Sequence, residues 1–415
     1  MMSYRFVKVT TYYREFLKQY YYSNPNIVTC TYEEQSAHLM AQGHAWSNYF
    51  PLHFNKLGVE AFEIVGNAKP LQQAWAAENG SSASGFDIVI DQLQYLKPDV
   101  VFFEDSFKFD GEWLSKLKEK VPSIKLTIGF CCTGFNDFYL NRFKIFDFVV
   151  VCSPHFEKAF KEFGLNVYTI VHAFETSILD KIKIDNNYPE TDFIFLGSFI
   201  PGREIHDVRQ KVVEYLLKAK INIDLYSNIS TIKPIDLFLR QNAFNAANIL
   251  KKLKLPSLAL ALPGVRKAFY LDEMPKNPRH INLIKKNSKP AIYGLEMFKA
   301  LSRSKIGFNF HGQVAGDYAA NMRLFEVTGV GSCLITDWKK NLNDLFEIDK
   351  EVVAFRSAEE CVEKVKWLLN HPIEREQIAK AGQKRVLKDH ALEMRVKQLD
   401  EIIKKELADR KLVLN

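Results

Sequence analysis

The stretch NMRLFEVTGVGSCLIT, residues 321–336, carries a helix, a turn and a strand in immediate succession. With the residues before it, YAANMRLFEVTG sets Met322, Leu324 and Phe325 on one apolar side and ends at Gly329, which predicts a helix stopped by a glycine cap. SCLIT, residues 332–336, predicts a buried strand. A helix returning directly into an apolar strand is the repeating unit of a parallel sheet covered by helices. Two charges interrupt this apolar corner, Arg323 and Glu326, at i and i+3 on one helix edge. An exposed pair at that spacing stabilises a helix by only about 0.2–0.5 kcal/mol. A carboxylate there also matches the two vicinal hydroxyls of a ribose, and a guanidinium beside it can meet phosphate or sugar oxygens. Ion pair and ligand site both fit the spacing.

Outward from this corner the same alternation of strand and helix runs in two series. The first has strands at YRFVKVT (4–10), VEAFEIV (59–65), DVVFFE (99–104), KLTIGF (125–130), FDFVVVC (146–152) and VYTIVHA (167–173). The second has DFIFLGS (192–198), INIDLYS (221–227), KIGFNF (305–310), SCLIT and VVAF (352–355). Between the series lies the polar stretch KIKIDNNYPET (181–191), which reads as a linker. The chain is therefore expected to form two α/β domains, 1–185 and 186–391, followed by a charged helix at 392–415 that packs back on the first. A length of 415 residues, beyond what one core usually serves, agrees with two domains.

Residues 231–290 break the alternation. They hold 12 Lys and Arg against 3 Asp and Glu, and AANILKKLKLPSLALALPGVRKAFY within them is both basic and leucine-rich. Such a segment fits an insertion with a solvated basic face, or contact with an anionic membrane or an acceptor. Pro256 and Pro263 limit any helix there to short pieces. The net charge of +7 suits acidic partners without choosing among them. The six cysteines show neither a CxxC pair nor metal-ligand spacing, so separate core thiols in a reducing cytoplasm are expected. The N-terminus lacks the zones of a signal peptide and no run is long enough to span a bilayer, which leads to the expectation of a cytoplasmic protein, peripheral at most at the inner face of a membrane.

Open sheets bind ligands outside the carboxyl ends of their strands, so two in tandem direct those ends to a shared cleft. In LGSFIPGRE, Gly197 opens a turn whose main-chain N–H groups can approach phosphate, and Arg203 can add a charge-assisted contact; a solvent-facing arginine fits equally well. His311, in NFHGQ, and His172, in IVHAFE, stand at strand ends where they line a pocket or satisfy backbone groups. For a proton acceptor the candidates are His44, Asp105 and Asp137, each with a structural alternative as a turn or helix-capping residue. There is no D-x-D, H-E-x-x-H or EF-hand loop, so no metal is expected, and phosphate charge falls to arginines, helix N-termini and main-chain N–H groups.

NMRLFEVTGVGSCLITDWKKNLNDLF, with DFIFLGS, YGLEMFKALSRSKIGFNFH and AGDYAANMRLFE, resembles the C-terminal half of the spore maturation protein CgeB-like branch of the GT-B glycosyltransferases. PLQQAWAAENG, KPDVVFFED and SPHFEKAFKEFGLNVYTIVHAFE extend the resemblance over nearly the whole chain. It implies a GT-B fold: two Rossmann-like, doubly wound domains around a central cleft, with a C-terminal helix crossing back to the first. A nucleotide-diphosphate sugar would bind mainly to the second domain and a glycan or lipid-linked acceptor to the first. Glu326 would hold the donor ribose, Arg323 and Asn321 the diphosphate or sugar, and Arg203 the phosphates, with Tyr293 and Gly294 near the base. Many relatives carry a first acid separated by seven residues from the one matching Glu326, where this chain has Tyr318 and, beside it, Asp317. The expected function is metal-independent sugar transfer in cell-surface polysaccharide or glycoconjugate synthesis, with no nucleic acid partner. The alternative is an inactive scaffold of the same fold that tethers a polysaccharide-assembly complex to membrane.

Overall fold

The structure, a computed structural model, describes residues 3–183, 190–199, 204–229, 232–271, 274–277, 281–311 and 314–414, without the side chains of 137, 138, 204–207 and 411–414. Six parallel strands form the first sheet: β1 Arg5–Thr10, β2 Glu60–Val65, β3 Val100–Phe103, β4 Leu126–Cys131, β5 Phe148–Val151 and β6 Val167–Thr169. The second contains β7 Thr191–Leu196, β8 Asp224–Tyr226, β9 Ser288–Lys289, β10 Ser304–Asn309, β11 Cys333–Asp337 and β12 Val353–Phe355. Side chains alternate across each strand, so a sheet covered on both faces is expected to be apolar at nearly every position, and a buried charge such as Lys8 in β1 needs partners. This is seen along the central strands. Phe6, Val100, Phe102, Phe148 and Val150 enter one core, while Val7, Val9, Val101, Phe103, Val149 and Val151 enter another.

The core on the inner face of the first sheet runs on into the second domain, taking in Ile194, Leu196, Leu324, Val327 and Leu334. The C-terminal helix, whose described course is Leu392–Leu414, joins it through Leu392, Val396, Leu399, Ile403 and Leu407. These five follow a three-and-four spacing that keeps them on one face, each worth roughly 1.5–3 kcal/mol when buried. The polar face of the helix is tied to the first domain. Tyr4 Oη donates to Asp400 (2.7 Å), Tyr168 Oη to Glu406 (2.6 Å), and Arg410 pairs with Asp147 (2.6 Å).

Strand order is β2-β1-β3-β4-β5-β6 in the first sheet and β12-β11-β10-β7-β8-β9 in the second. In each, the order reverses beside the domain's first strand, between β1 and β3 and between β7 and β10. These reversals open a crevice at the carboxyl ends, where doubly wound sheets bind ligands.

Three sequence expectations are corrected. The helix of the opening stretch spans Arg323–Gly329 only, and Gly331, not Gly329, takes the left-handed conformation (φ 88°). Gly329 is required for space instead, since a Cβ there would lie 2.4 Å from the Phe174 ring. The 231–290 segment is not merely an insertion: it is the crossover from β8 to the edge strand β9, made of helices Pro234–Lys252, Pro256–Ala261, Pro263–Phe269 and Ile281–Asn287. A two-residue strand has too little periodicity to be read from sequence. Finally, Cys132 and Cys152 are joined as a disulfide, with Cα atoms 5.7 Å apart, because they follow the adjacent strands β4 and β5. The expected linker falls largely on residues 184–189, outside the described residues.

Candidate active site

Helix Arg323–Gly329 lies directly on β10 because Gly307 has no side chain: a Cβ there would approach Val327 Cγ1 to 2.4 Å. The contact sets the height of the neighbouring Glu326, which is buried. Arg323 Nη1 is 2.8 Å from Glu326 Oε2 and also touches Met297 Sδ at 2.9 Å. The intrahelical ion pair is therefore formed, but in a largely buried setting, and the Arg323 Nε–H has no acceptor among the described residues. Asn321, just before the helix, donates to Asn309 Oδ1 and to the Phe310 carbonyl, both at 3.1 Å.

Arg209, from helix Glu204–Lys218, spans the second reversal point. It donates to the Ser198 carbonyl beyond β7 (3.4 Å) and to the Phe310 carbonyl beyond β10 (2.9 Å). Its Nε–H is buried without an acceptor among the described residues. Burial lowers its pKa; Asp337 opposes that and the like charge of Arg323 adds to it. Two guanidinium groups thus converge at one crevice. His311 is fixed beside them, its main-chain N–H 2.7 Å and its Nδ1 2.9 Å from Asp337 Oδ1. Burial works to raise the Asp337 pKa, but His311 and then Lys339 outweigh it and hold the carboxyl below its usual range. Past the ends of β11 and β12, Arg356 stacks over Trp338 (3.8 Å) at the wall of a pocket of about 350 Å³ that also takes in Val208, Phe310 and Phe355.

At the first reversal point Thr11, after β1, donates to Asp105, after β3. Next to Asp105 is Glu104, which with Glu63 grips the fully buried Lys8 at 2.7 and 2.8 Å. Burial pushes Glu63 up to about 8 against the pull of Lys8. Tyr13 faces both domains. Its pKa is raised by surrounding protein and then by Glu104 and Glu326, with Arg323 opposing and Asp105 adding. The side chain is 69% exposed nonetheless, as expected of a residue with a cleft open to water and walls on two sides.

The predicted residues are distributed unevenly over this geometry. His311, Asn321, Arg323 and Glu326 gather at the second reversal point, and Gly197 directly follows β7 there, its main-chain N–H donating to the Tyr226 carbonyl (3.2 Å). Gly294 (φ 55°) meets the first domain, where a Cβ would sit 2.1 Å from the Gln42 carbonyl oxygen. Tyr293 packs edge-on to His44 (5.6 Å) and takes a hydrogen bond from Asn228. Both lie at the domain junction. His44 is buried there, stacked on Phe16 at 4.0 Å, and burial lowers its pKa to about 3. So weak a base is badly matched to taking a hydroxyl proton at neutral pH. The helix cap near Asp137 is Asn136, whose side chain accepts from Tyr139 N–H; the Asp137 side chain is outside the described residues, as is Arg203. Asp317 turns to Lys340 (2.7 Å) and so does not replace the acid missing at Tyr318. Arg209, Lys8 and Glu104 went unnoticed in the sequence. Of these only Glu104 carried a signal, its place at the end of an apolar strand.

Residues 240–401 match the family model described as glycosyl transferase-like. No curated protein sequence matches the chain at a significant level. Among solved structures, an alpha-glucosyltransferase in complex with UDP-glucose and DNA containing an abasic site aligns with 97% of this chain and 100% of its own at 14% identity and a TM-score of 0.56. A glycosyltransferase from Rickettsia africae ESF-5 covers 98% and 99% at 12% identity and 0.52. Sucrose-phosphate synthase from Thermosynechococcus elongatus covers 98% and 100% at 11% identity and 0.52. The chain thus has the GT-B fold along its length, and its residues 240–401 match a glycosyl transferase-like domain.

Proposed function

We propose that the protein transfers a sugar from a nucleotide-diphosphate donor to a glycan or lipid-linked acceptor, without a dedicated metal, in cell-surface polysaccharide or glycoconjugate synthesis. The observation that carries this reading is the pair of part-buried guanidinium groups, Arg209 and Arg323, each with a buried Nε–H lacking an acceptor among the described residues, near the Glu326 carboxylate. Buried donors aimed into a crevice stabilise charge there more strongly than they do in water. Arg209 and Arg323 meet the diphosphate and its developing negative charge as the sugar leaves. Glu326 accepts from the ribose hydroxyls, and the Trp338–Arg356 wall offers a flat surface to the base. Across the cleft, Glu104 or Asp105 takes the acceptor proton, in preference to His44. The CgeB-like resemblance of the sequence supports the same assignment.

Membrane contact is supported by the β8-to-β9 crossover. Its helices expose Ile235, Phe238 and Leu239 near the start of Pro234–Lys252, and Ile249, Leu253 and Leu258 near its end, where Lys251, Lys252 and Lys254 lie close in sequence. Exposed apolar side chains with lysines at one end of the same helix suit an anionic bilayer surface. Among the described residues no helix is long and apolar enough to cross a membrane. The second reading, an inactive tethering scaffold, draws on Tyr318 and on the diversion of Asp317 to Lys340.

Turnover separates the two. Incubating the full chain with UDP-, GDP- and dTDP-sugars is expected to release free nucleotide diphosphate from one of them, slowly without acceptor. Binding without any release would favour the scaffold, and no binding of any sugar nucleotide would sink both the donor assignment and the proposed reaction.

A further inference from the structure

Cys132, Cys152 and His172 follow three neighbouring strands of the first sheet. Cys132 comes directly after β4, Cys152 directly after β5, and His172 three residues after β6. Neighbouring strands lie about 4.8 Å apart, so side chains leaving their carboxyl ends at similar heights converge at the ligand-binding edge of the sheet. One Sγ from each cysteine and one ring nitrogen of His172 all fall within 4.8 Å of one another. His172 Nε2 is 3.1 Å from Cys132 Sγ.

A disulfide has no need of the imidazole. The His172 ring is held against Trp46 and Phe130, with centroids 5.5 and 6.1 Å away. Its other nitrogen, Nδ1, is buried and makes no hydrogen bond among the described residues. A histidine more than nine-tenths buried usually satisfies both nitrogens; this one directs Nε2 at sulfur, a weak hydrogen-bond partner. Two thiolates and an imidazole are the ligand set of thiophilic divalent ions, and three protein ligands leave a fourth position for water or a further group.

We infer that in the reduced protein Cys132, Cys152 and His172 bind one thiophilic divalent cation, of which Zn²⁺ is the most common, at the cleft edge of the first sheet. Opening the disulfide consumes two electrons and two protons from a dithiol, which leaves as its own disulfide. Metal binding then releases the two thiol protons, so disulfide and metal exclude each other. Cys132 Sγ also lies 3.6 Å from the Ala320 carbonyl of the second domain, one residue before Asn321. The site thus touches the segment leading into the Arg323 helix. The inference is independent of the proposed sugar transfer.

The test is an anaerobic Co²⁺ titration of the full chain, reduced with a dithiol, freed of metal and of the dithiol, and followed by visible and near-ultraviolet absorption. One equivalent should saturate the protein, with the bands of tetrahedral cobalt and a sulfur-to-cobalt charge-transfer band, both bleached by Zn²⁺. The oxidised chain should give neither band. Cys152→Ser should weaken the charge-transfer band and lower affinity, and His172→Gln should lower affinity by at least the roughly 10–100-fold typical of losing a supporting partner. Comparing oxidised with reduced wild type requires no substitution, so the outcome does not depend on variants folding. Absence of both bands in reduced wild type, or bands unchanged in Cys132→Ser and Cys152→Ser, would overturn the inference.

Discussion

Replacing Glu326 tests two roles that the structure superimposes. Its carboxylate lies 2.8 Å from Arg323 Nη1, and the two side chains are 11% and 20% exposed. Glu326→Ala removes a charge-assisted hydrogen bond and leaves the guanidinium with Met297 Sδ as its hydrogen-bond partner among the described residues. A hydrogen bond to a charged group contributes about 1.5–3 kcal/mol, which for a domain of this size lowers the melting temperature by roughly 3–12 °C. Ribose recognition adds an effect on binding alone. Two hydroxyls donating to one carboxylate are together worth about 3 kcal/mol, close to a 100-fold change in dissociation constant. Glu326→Gln keeps the shape and one acceptor oxygen but loses the charge, so a loss near tenfold is expected. Calorimetric titration of the preferred sugar nucleotide, beside thermal melts of all three proteins, resolves the two contributions. If Glu326→Ala melts earlier yet binds within twofold of wild type, the carboxylate serves Arg323 only and the ribose assignment is wrong.

Other perturbations probe the frame around this site. Lys8→Met should destabilise the first domain by about 3–5 kcal/mol, because Glu63 and Glu104 would face each other without a counter-charge; urea unfolding that leaves the midpoint unchanged would contradict this. Gly329→Ala places a methyl 2.4 Å from the Phe174 ring and should cost about 1–3 kcal/mol by overpacking, read as a lower melting temperature. The folded-state pKa values of His44, about 3, and His172, about 4, both lie below the ordinary 6.5. The unfolded chain therefore binds more protons in that window, and stability falls as pH drops from 6.5 towards 3. The loss should be on the order of 3 kcal/mol per histidine by pH 4, and His44→Gln should flatten the profile obtained from urea unfolding. Vesicles containing anionic lipid should sediment the protein and neutral ones should not, with Phe238→Glu and Leu239→Glu together abolishing the difference; equal binding to both vesicle types would count against membrane contact by this crossover.

Much of the frame was legible because strand and helix periodicity are local properties. Runs such as VVFF at 100–103 are apolar at every position because both faces are covered, and IGF at 306–308 shows the same reading in the second sheet. The Arg323 and Glu326 spacing was readable too, since i and i+3 are neighbours on any helix. Its partners were not. Arg209 reaches the crevice from 101 residues before Phe310, and nothing in IPGREIHDVRQ distinguishes it from a solvent-facing arginine. The helix start was misplaced because Tyr318 to Met322 have helical composition but are spent on other contacts, such as Ala319 N–H to Asn341 and Asn321 to Asn309.

By itself, the amino-acid pattern determined that two parallel α/β units follow each other, that a last helix is available to close them, and that one arginine and one glutamate share an edge at an apolar corner. Tertiary structure decided what stands opposite what. Strand order placed Cys132 beside Cys152, Thr11 beside Asp105 and Arg209 across the end of β10, while the closing helix joined Tyr4 to Asp400 over 396 residues of sequence. The physical reason is one of range. Backbone geometry repeats every two or 3.6 residues and leaves its period in the sequence, whereas a cleft is assembled by sheet order and domain packing, which bring together side chains with no periodic relation to one another.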